Sequence, residues 1–277
     1  MTRREKISRA GVLLGILAFG IVWYLDPTYS ADETTQLLFK SLVSRLLGSV
    51  VFVSLSVYLG YRVFGKPLGG WWKVVLPCLL VVVNNFPIIG MITGNVQLTR
   101  PALVGLFVAD AVLIGVFEEL AFRGTLFPAI LEKHRGNNRQ IFWTTVISSA
   151  IFGLVHLANL LEGAGFGATV MQVGYSFLIG GMCAIVLLKT GNLLFCILLH
   201  AVFDIGGGFV TYIGTGSQWD IATVVITVVL AVAVSAWMLY VLFHVKPAET
   251  DRFYPPKKAS DKAEEPTSDC IDITKDV

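Results

Sequence analysis

The stretch PALVGLFVADAVLIGVFEELAFRGTL, residues 101–126, decides how this chain folds. It is longer than the roughly 20 predominantly apolar residues that cross a bilayer as one helix. Yet it carries Asp110, Glu118, Glu119 and Arg123. Ionisable groups at membrane depth are costly and need partners or a task. An apolar helix with charges in its second half is therefore read as one wall of a wet site inside a membrane bundle.

The rest of the chain supports that reading. Of 277 residues, 55% are hydrophobic and 14% charged. A soluble domain carries roughly 25% charged residues because it must present a solvated surface. A lipid-facing surface removes that need. Apolar segments recur at about 10–25, 43–64, 71–93, 101–126, 140–161, 168–188, 191–212 and 221–244. The predicted fold is all-α, a polytopic membrane bundle of about eight transmembrane helices over residues 1–247. The first segment is short and basic at its start, so a cleavable signal peptide is the alternative for it. From about Ala248 the composition turns polar, and residues 248–277 read as a disordered cytoplasmic tail.

Lys and Arg concentrate in cytoplasmic loops. With the N-terminus inside, the inner segments hold Arg3, Arg4, Lys6 and Arg9, then Arg62, Lys66 and Lys73, then Lys133, Arg135 and Arg139, then Lys189 and the tail. The outer segments hold only Lys40, Arg45 and Arg100. Both termini are thus expected in the cytoplasm, in a plasma membrane. A net charge of +2 gives no argument for nucleic acid. Cys78, Cys183 and Cys196 lie in apolar runs and read as small buried hydrophobes, not a disulfide framework. Trp71 and Trp72 read as interface anchors, and Gly206, Gly207 and Gly208 as close packing or a helix break and not a phosphate loop.

Two further spans carry ionisable groups. His156 follows Phe152 by four residues, and Asp204 follows His200 by four. Residues four apart share a helical face, whereas Glu118 is turned about 100° from Glu119. Glu119 and Arg123 are then expected to pair, which leaves Glu118 to face a cavity. A bundle joining these spans encloses two carboxylates, two imidazoles and a further acid. That set suits attack of water on a carbonyl, with a carboxylate or imidazole as base and a donor for the oxyanion.

Glu118-Glu119-x-x-x-Arg123, Phe152-x-x-x-His156 and His200-x-x-x-Asp204, in order on separate apolar segments, resemble the CAAX protease and bacteriocin-processing (CPBP, Abi) family of intramembrane proteases. The resemblance covers about 105–210. It implies an endopeptidase acting on a peptide or membrane-associated protein. By it, Glu118 and His156 activate the water, His200 and Asp204 serve the oxyanion, and Glu119 and Arg123 support them. Asn often stands where this chain has Asp204, and an ionised Asp accepts hydrogen bonds without donating. Asp204 is accordingly read as a partner that orients His200. A zinc ion on Glu118, His156 and His200 is open as a variant; a metal-free glutamate route is preferred, though no His-Glu-x-x-His decides it. A catalytically silent scaffold or immunity protein, and a proton-coupled transporter, are the alternative functions.

Overall fold

The computed structural model describes residues 10, 13–18, 27–67, 69–132 and 137–255. Among them the helices are α1 (Glu33–Leu59), α2 (Trp72–Val83), α3 (Ile88–Ile92), α4 (Val104–Ala121), α5 (Phe127–Glu132), α6 (Asn138–Leu154), α7 (Phe166–Thr190), α8 (Leu193–Tyr212) and α9 (Ile221–Phe243). A π-helical turn, Phe122–Leu126, joins α4 to α5, and a 3-10 segment, Val155–Leu160, extends α6. Five helices are long and apolar enough to cross a membrane: α1, α6 with its extension, α7, α8 and α9. α4 has 18 residues but carries three carboxyl groups, and α2 has 12 residues. The fold is an all-α membrane helix bundle. Of the first expected span, Ala10 and residues 13–18 are described and helical. Its remaining residues and the question of a signal peptide lie outside the described residues.

α7 forms the centre. Half of its apolar window is buried inside the protein, against 17% for α1 and for α9. An unbroken run from Met182 to Leu188 is buried. α1 and α9 instead turn large apolar side chains outward, among them Leu37, Val228 and Val232, as helices bordered by lipid do.

Three boundaries differ from the sequence reading. α1 begins at Glu33, ten residues earlier than expected, because the Asp32 side chain caps it by accepting from the Thr35 amide at 2.8 Å. The same bonds, first the Thr35 hydroxyl and then its amide, hold the Asp32 carboxyl below the usual range. Lys40 and Arg45 therefore lie within a helix and not in an outer loop. Arg45 is accommodated there by resting its guanidinium over the Phe117 ring, 5.1 Å from the centroid. The expected span 71–93 is interrupted after Val83. Pro87 follows, where a preceding residue is disfavoured in helix, and the Asn85 side chain donates instead to the Phe203 carbonyl at 2.7 Å. Finally, the start of the polar tail is packed. Residues 247–249 and 251–253 form 3-10 turns, with Thr250, Phe253 and Tyr254 buried. The two aromatic side chains anchor what composition alone assigns to solvent. Residues 256–277 lie outside the described residues.

The segments that charge assigns to one side of the membrane do meet at one end of the bundle. Leu193 donates to the Val63 carbonyl at 2.7 Å, and Arg62 to that of Phe253 at 2.9 Å. Lys189 pairs with Glu249 at 2.9 Å, and Tyr254 donates to the Pro128 carbonyl at 2.8 Å. At the other end, Val96–Leu98 pairs antiparallel with Gly214–Gly216, and Arg100 donates to Thr34. Lys133 and Arg135 lie outside the described residues. We expect cysteines introduced at Lys66 or Lys189 to resist membrane-impermeant thiol reagents in intact cells and one at Glu162 to react. The reverse pattern would contradict a cytoplasmic face for the Lys66 end.

Candidate active site

The site is built where α4 crosses α8. A Cβ added at Gly115 would lie 3.1 Å from the Ile197 carbonyl and 3.2 Å from the Ala201 amide. The absent side chain lets the two backbones approach, one turn before Glu118 and Glu119 and beside His200. α7 closes the site from the other side. There a Cβ at Gly180 would meet the Arg123 guanidinium at 2.8 Å. Gly206 is likewise a packing glycine in a continuous helix, facing Asn85 and Phe86.

Glu119 is fully buried and central. Its Oε1 accepts from Arg123 Nη1 at 3.1 Å and lies 2.7 Å from His200 Nδ1. The i,i+4 pair is as expected, and the π-helical turn is where it closes, a device common at functional sites. Arg123 also lies over the Phe152 ring, 4.2 Å from its centroid. A carboxylate accepts only, so His200 carries a proton on Nδ1 and presents Nε2 to the rest of the site.

His200 Nε2 lies 3.6 Å from Glu118 Oε2 and 3.6 Å from Asp204 Oδ2. Both separations exceed a direct hydrogen bond. The Glu118 side chain is 15% exposed and that of Asp204 is 26% exposed, whereas Glu119 is at 0%. Glu118 and Asp204 are thus partly exposed, and Glu119 stands behind them, fully buried. The partner that orients His200 is Glu119 and not Asp204. Helical spacing puts Asp204 on the right face, but Nδ1 is taken across helices, which spacing along one helix does not reveal.

His156 is joined less directly. Its Nδ1 donates to the Phe152 carbonyl at 2.9 Å. The Phe152 ring stands edge-on to His156, at 5.3 Å, and to His200, at 5.8 Å. Phe152 is thus an aromatic hub whose importance the motif spacing hides. Tyr175 on α7, within electrostatic reach of Asp204 and Glu118, gave no signal in the sequence. Asp110 is buried two turns before Glu118, within reach of Ser41 and Arg45.

A zinc ion on Glu118, His156 and His200 requires their ligand atoms to gather. Among the described residues, the three candidate ligand groups lying within 4.8 Å of one another are instead Glu119, Cys183 and Cys196. Glu118, His156 and His200 do not form such a group in this arrangement.

Residues 100–206 match the family described as Rce1-like, type II CAAX prenyl endopeptidase. The matched segment contains Glu118, Glu119, Arg123, His156, His200 and Asp204. No curated protein and no solved structure matches the chain. The order of the three motifs and their placement in an all-α membrane bundle agree with this match, which supports assigning residues 100–206 to the CAAX protease and bacteriocin-processing family of intramembrane proteases.

Proposed function

We propose that the protein is an endopeptidase that hydrolyses peptide bonds within the membrane with water activated at Glu118, without a metal. The observation that carries this is the alignment of His200. Glu119 holds it at 2.7 Å on one nitrogen, and its other nitrogen stands 3.6 Å from Glu118. Glu118 takes a proton from water as the oxygen attacks the carbonyl carbon. His200 Nε2, protonated, donates to the oxyanion that forms. Glu118 returns its proton to the departing amine nitrogen, the C–N bond breaks, and a carboxylic acid and an amine leave. His156, with Nδ1 occupied by the Phe152 carbonyl, offers the lone pair of Nε2 to the same water. Arg123 keeps Glu119 ionised in position, and Glu119 keeps the His200 ring in register.

The substrate is a peptide or a membrane-associated protein segment presented at the bilayer. The polar cluster lies on α4, the 3-10 extension of α6 and α8 and not along a whole path, which favours hydrolysis over transport. The protein sits in a plasma membrane with both termini in the cytoplasm, following the distribution of Lys and Arg.

The test is cleavage of a membrane-bound peptide by the purified protein in lipid vesicles. His200→Ala is expected to lose about 10²–10³-fold in kcat, the cost of removing one oxyanion donor. A His200→Ala protein cutting at the wild-type rate would refute the assignment. Asp204 is separable. As an ionised neighbour of Nε2 its charge matters, so Asp204→Asn is expected to be about as slow as Asp204→Ala, roughly 10-fold down or more. A wild-type rate in Asp204→Asn beside a slow Asp204→Ala would make position 204 a direct donor instead.

A further inference from the structure

Behind Glu118 and Asp204, Glu119 has a second carboxylate oxygen that the reaction does not use. Its Oε1 accepts from both Arg123 and His200, while Oε2 is buried without a hydrogen-bond partner. Two thiols stand beside this carboxylate. Cys183 on α7 and Cys196 on α8 are fully buried, and a carboxylate oxygen of Glu119 and both sulfurs lie within 4.8 Å of one another. Cys196 donates to the Cys183 carbonyl at 3.1 Å. Cys183 interacts with the Glu119 carboxylate, yet without the geometry of a hydrogen bond to Oε2.

The geometry points to a site for a soft divalent cation formed by Cys183, Cys196 and Glu119, through which such an ion inhibits the enzyme. Thiolate ligands select soft metals such as Cd²⁺ and Zn²⁺. Charge is balanced: the ion binds as two thiol protons leave, so the buried region gains no net charge. Glu119 already has Arg123 as counter-ion, and its free oxygen completes a three-ligand set. A cation on Oε2 draws the carboxylate's charge away from His200 Nδ1, which slackens the bond that sets the ring. The inhibitory arm rests on the peptidase reading; the binding arm does not.

The experiment uses the full chain in detergent, in a Cys270→Ala background that removes the tail thiol. Cd²⁺ is titrated while the ultraviolet thiolate-to-cadmium charge-transfer band and peptide cleavage are followed. One Cd²⁺ per chain with two thiolate bonds is expected, and cleavage is expected to fall about 10–100-fold along the same curve, as for loss of a supporting contact. Cys183→Ala/Cys196→Ala is expected to show no band. Cys78, buried nearby with its thiol on the Val74 carbonyl, is expected to be dispensable. If the double variant does not fold, Cys196→Ser alone is expected to halve the band. No band in the parent protein, an undiminished band in the Cys196 variants, or a band lost in Cys78→Ala overturns the site. A band with undiminished cleavage overturns the inhibition. If the protein cuts no peptide at all, the band still decides the site, and only the peptidase reading fails.

Discussion

Glu118→Gln protein is expected to accumulate at wild-type levels in the membrane and to cut no peptide. The amide keeps the length and shape of the side chain and cannot take a proton. Loss of a positioned general base costs about 10²–10⁴-fold. Where the same group also returns the proton to the leaving amine, two steps fail together. Folding is expected to survive because Glu118 is partly exposed and makes no direct hydrogen bond to His200, which lies 3.6 Å away. The measurement pairs cleavage of a vesicle-bound peptide with the thermal midpoint of the purified variant. An active Glu118→Gln protein would contradict the mechanism. An inactive one whose midpoint has collapsed would reassign Glu118 to structure.

Arg123→Ala is expected to lose folded protein. Glu119 and Arg123 are 0% and 2% exposed, and they pair at 3.1 Å. Breaking a buried pair by removing one partner costs about 3–5 kcal/mol, because the other charge stays desolvated. The loss of the guanidinium from the face of Phe152, 4.2 Å away, adds to this. Against a typical total stability of about 5–15 kcal/mol, that is a large share. Changing Glu119 to Gln in the Arg123→Ala background removes the stranded charge, so folded yield is expected to recover in part. The double variant is nevertheless expected to be inactive, since His200 Nδ1 has lost its carboxylate. No recovery of yield would count against a structural ion pair.

Much of this architecture was legible because the bilayer restricts the alternatives. Apolar runs long enough to cross, separated by charged loops, leave little besides a helix bundle. The i,i+4 spacing of Glu119 and Arg123 sufficed to pair them. What the sequence hid lies between helices or at helix ends. His200 has an acid four residues on, yet it is Glu119 on another helix that takes Nδ1. No local periodicity distinguishes the two, since the choice follows from the close approach at Gly115. The early start of α1 depends on one capping contact at Asp32. The packed turn at Thr250 to Tyr254 depends on two aromatic residues in a polar stretch. Cys183 and Cys196 read correctly as buried, but only the crossing of α7 and α8 beside α4 brings them to Glu119.

The central claim is that water is activated at Glu118 and adds directly to the peptide carbonyl. It is tested most directly by single-turnover cleavage in ¹⁸O-labelled water, with excess purified protein in vesicles, followed by mass analysis of the new carboxyl terminus. The account predicts one labelled oxygen per product in the first turnover, and no product with Glu118→Gln. Unlabelled product in that first turnover, or labelled product formed equally fast by Glu118→Gln, would contradict it.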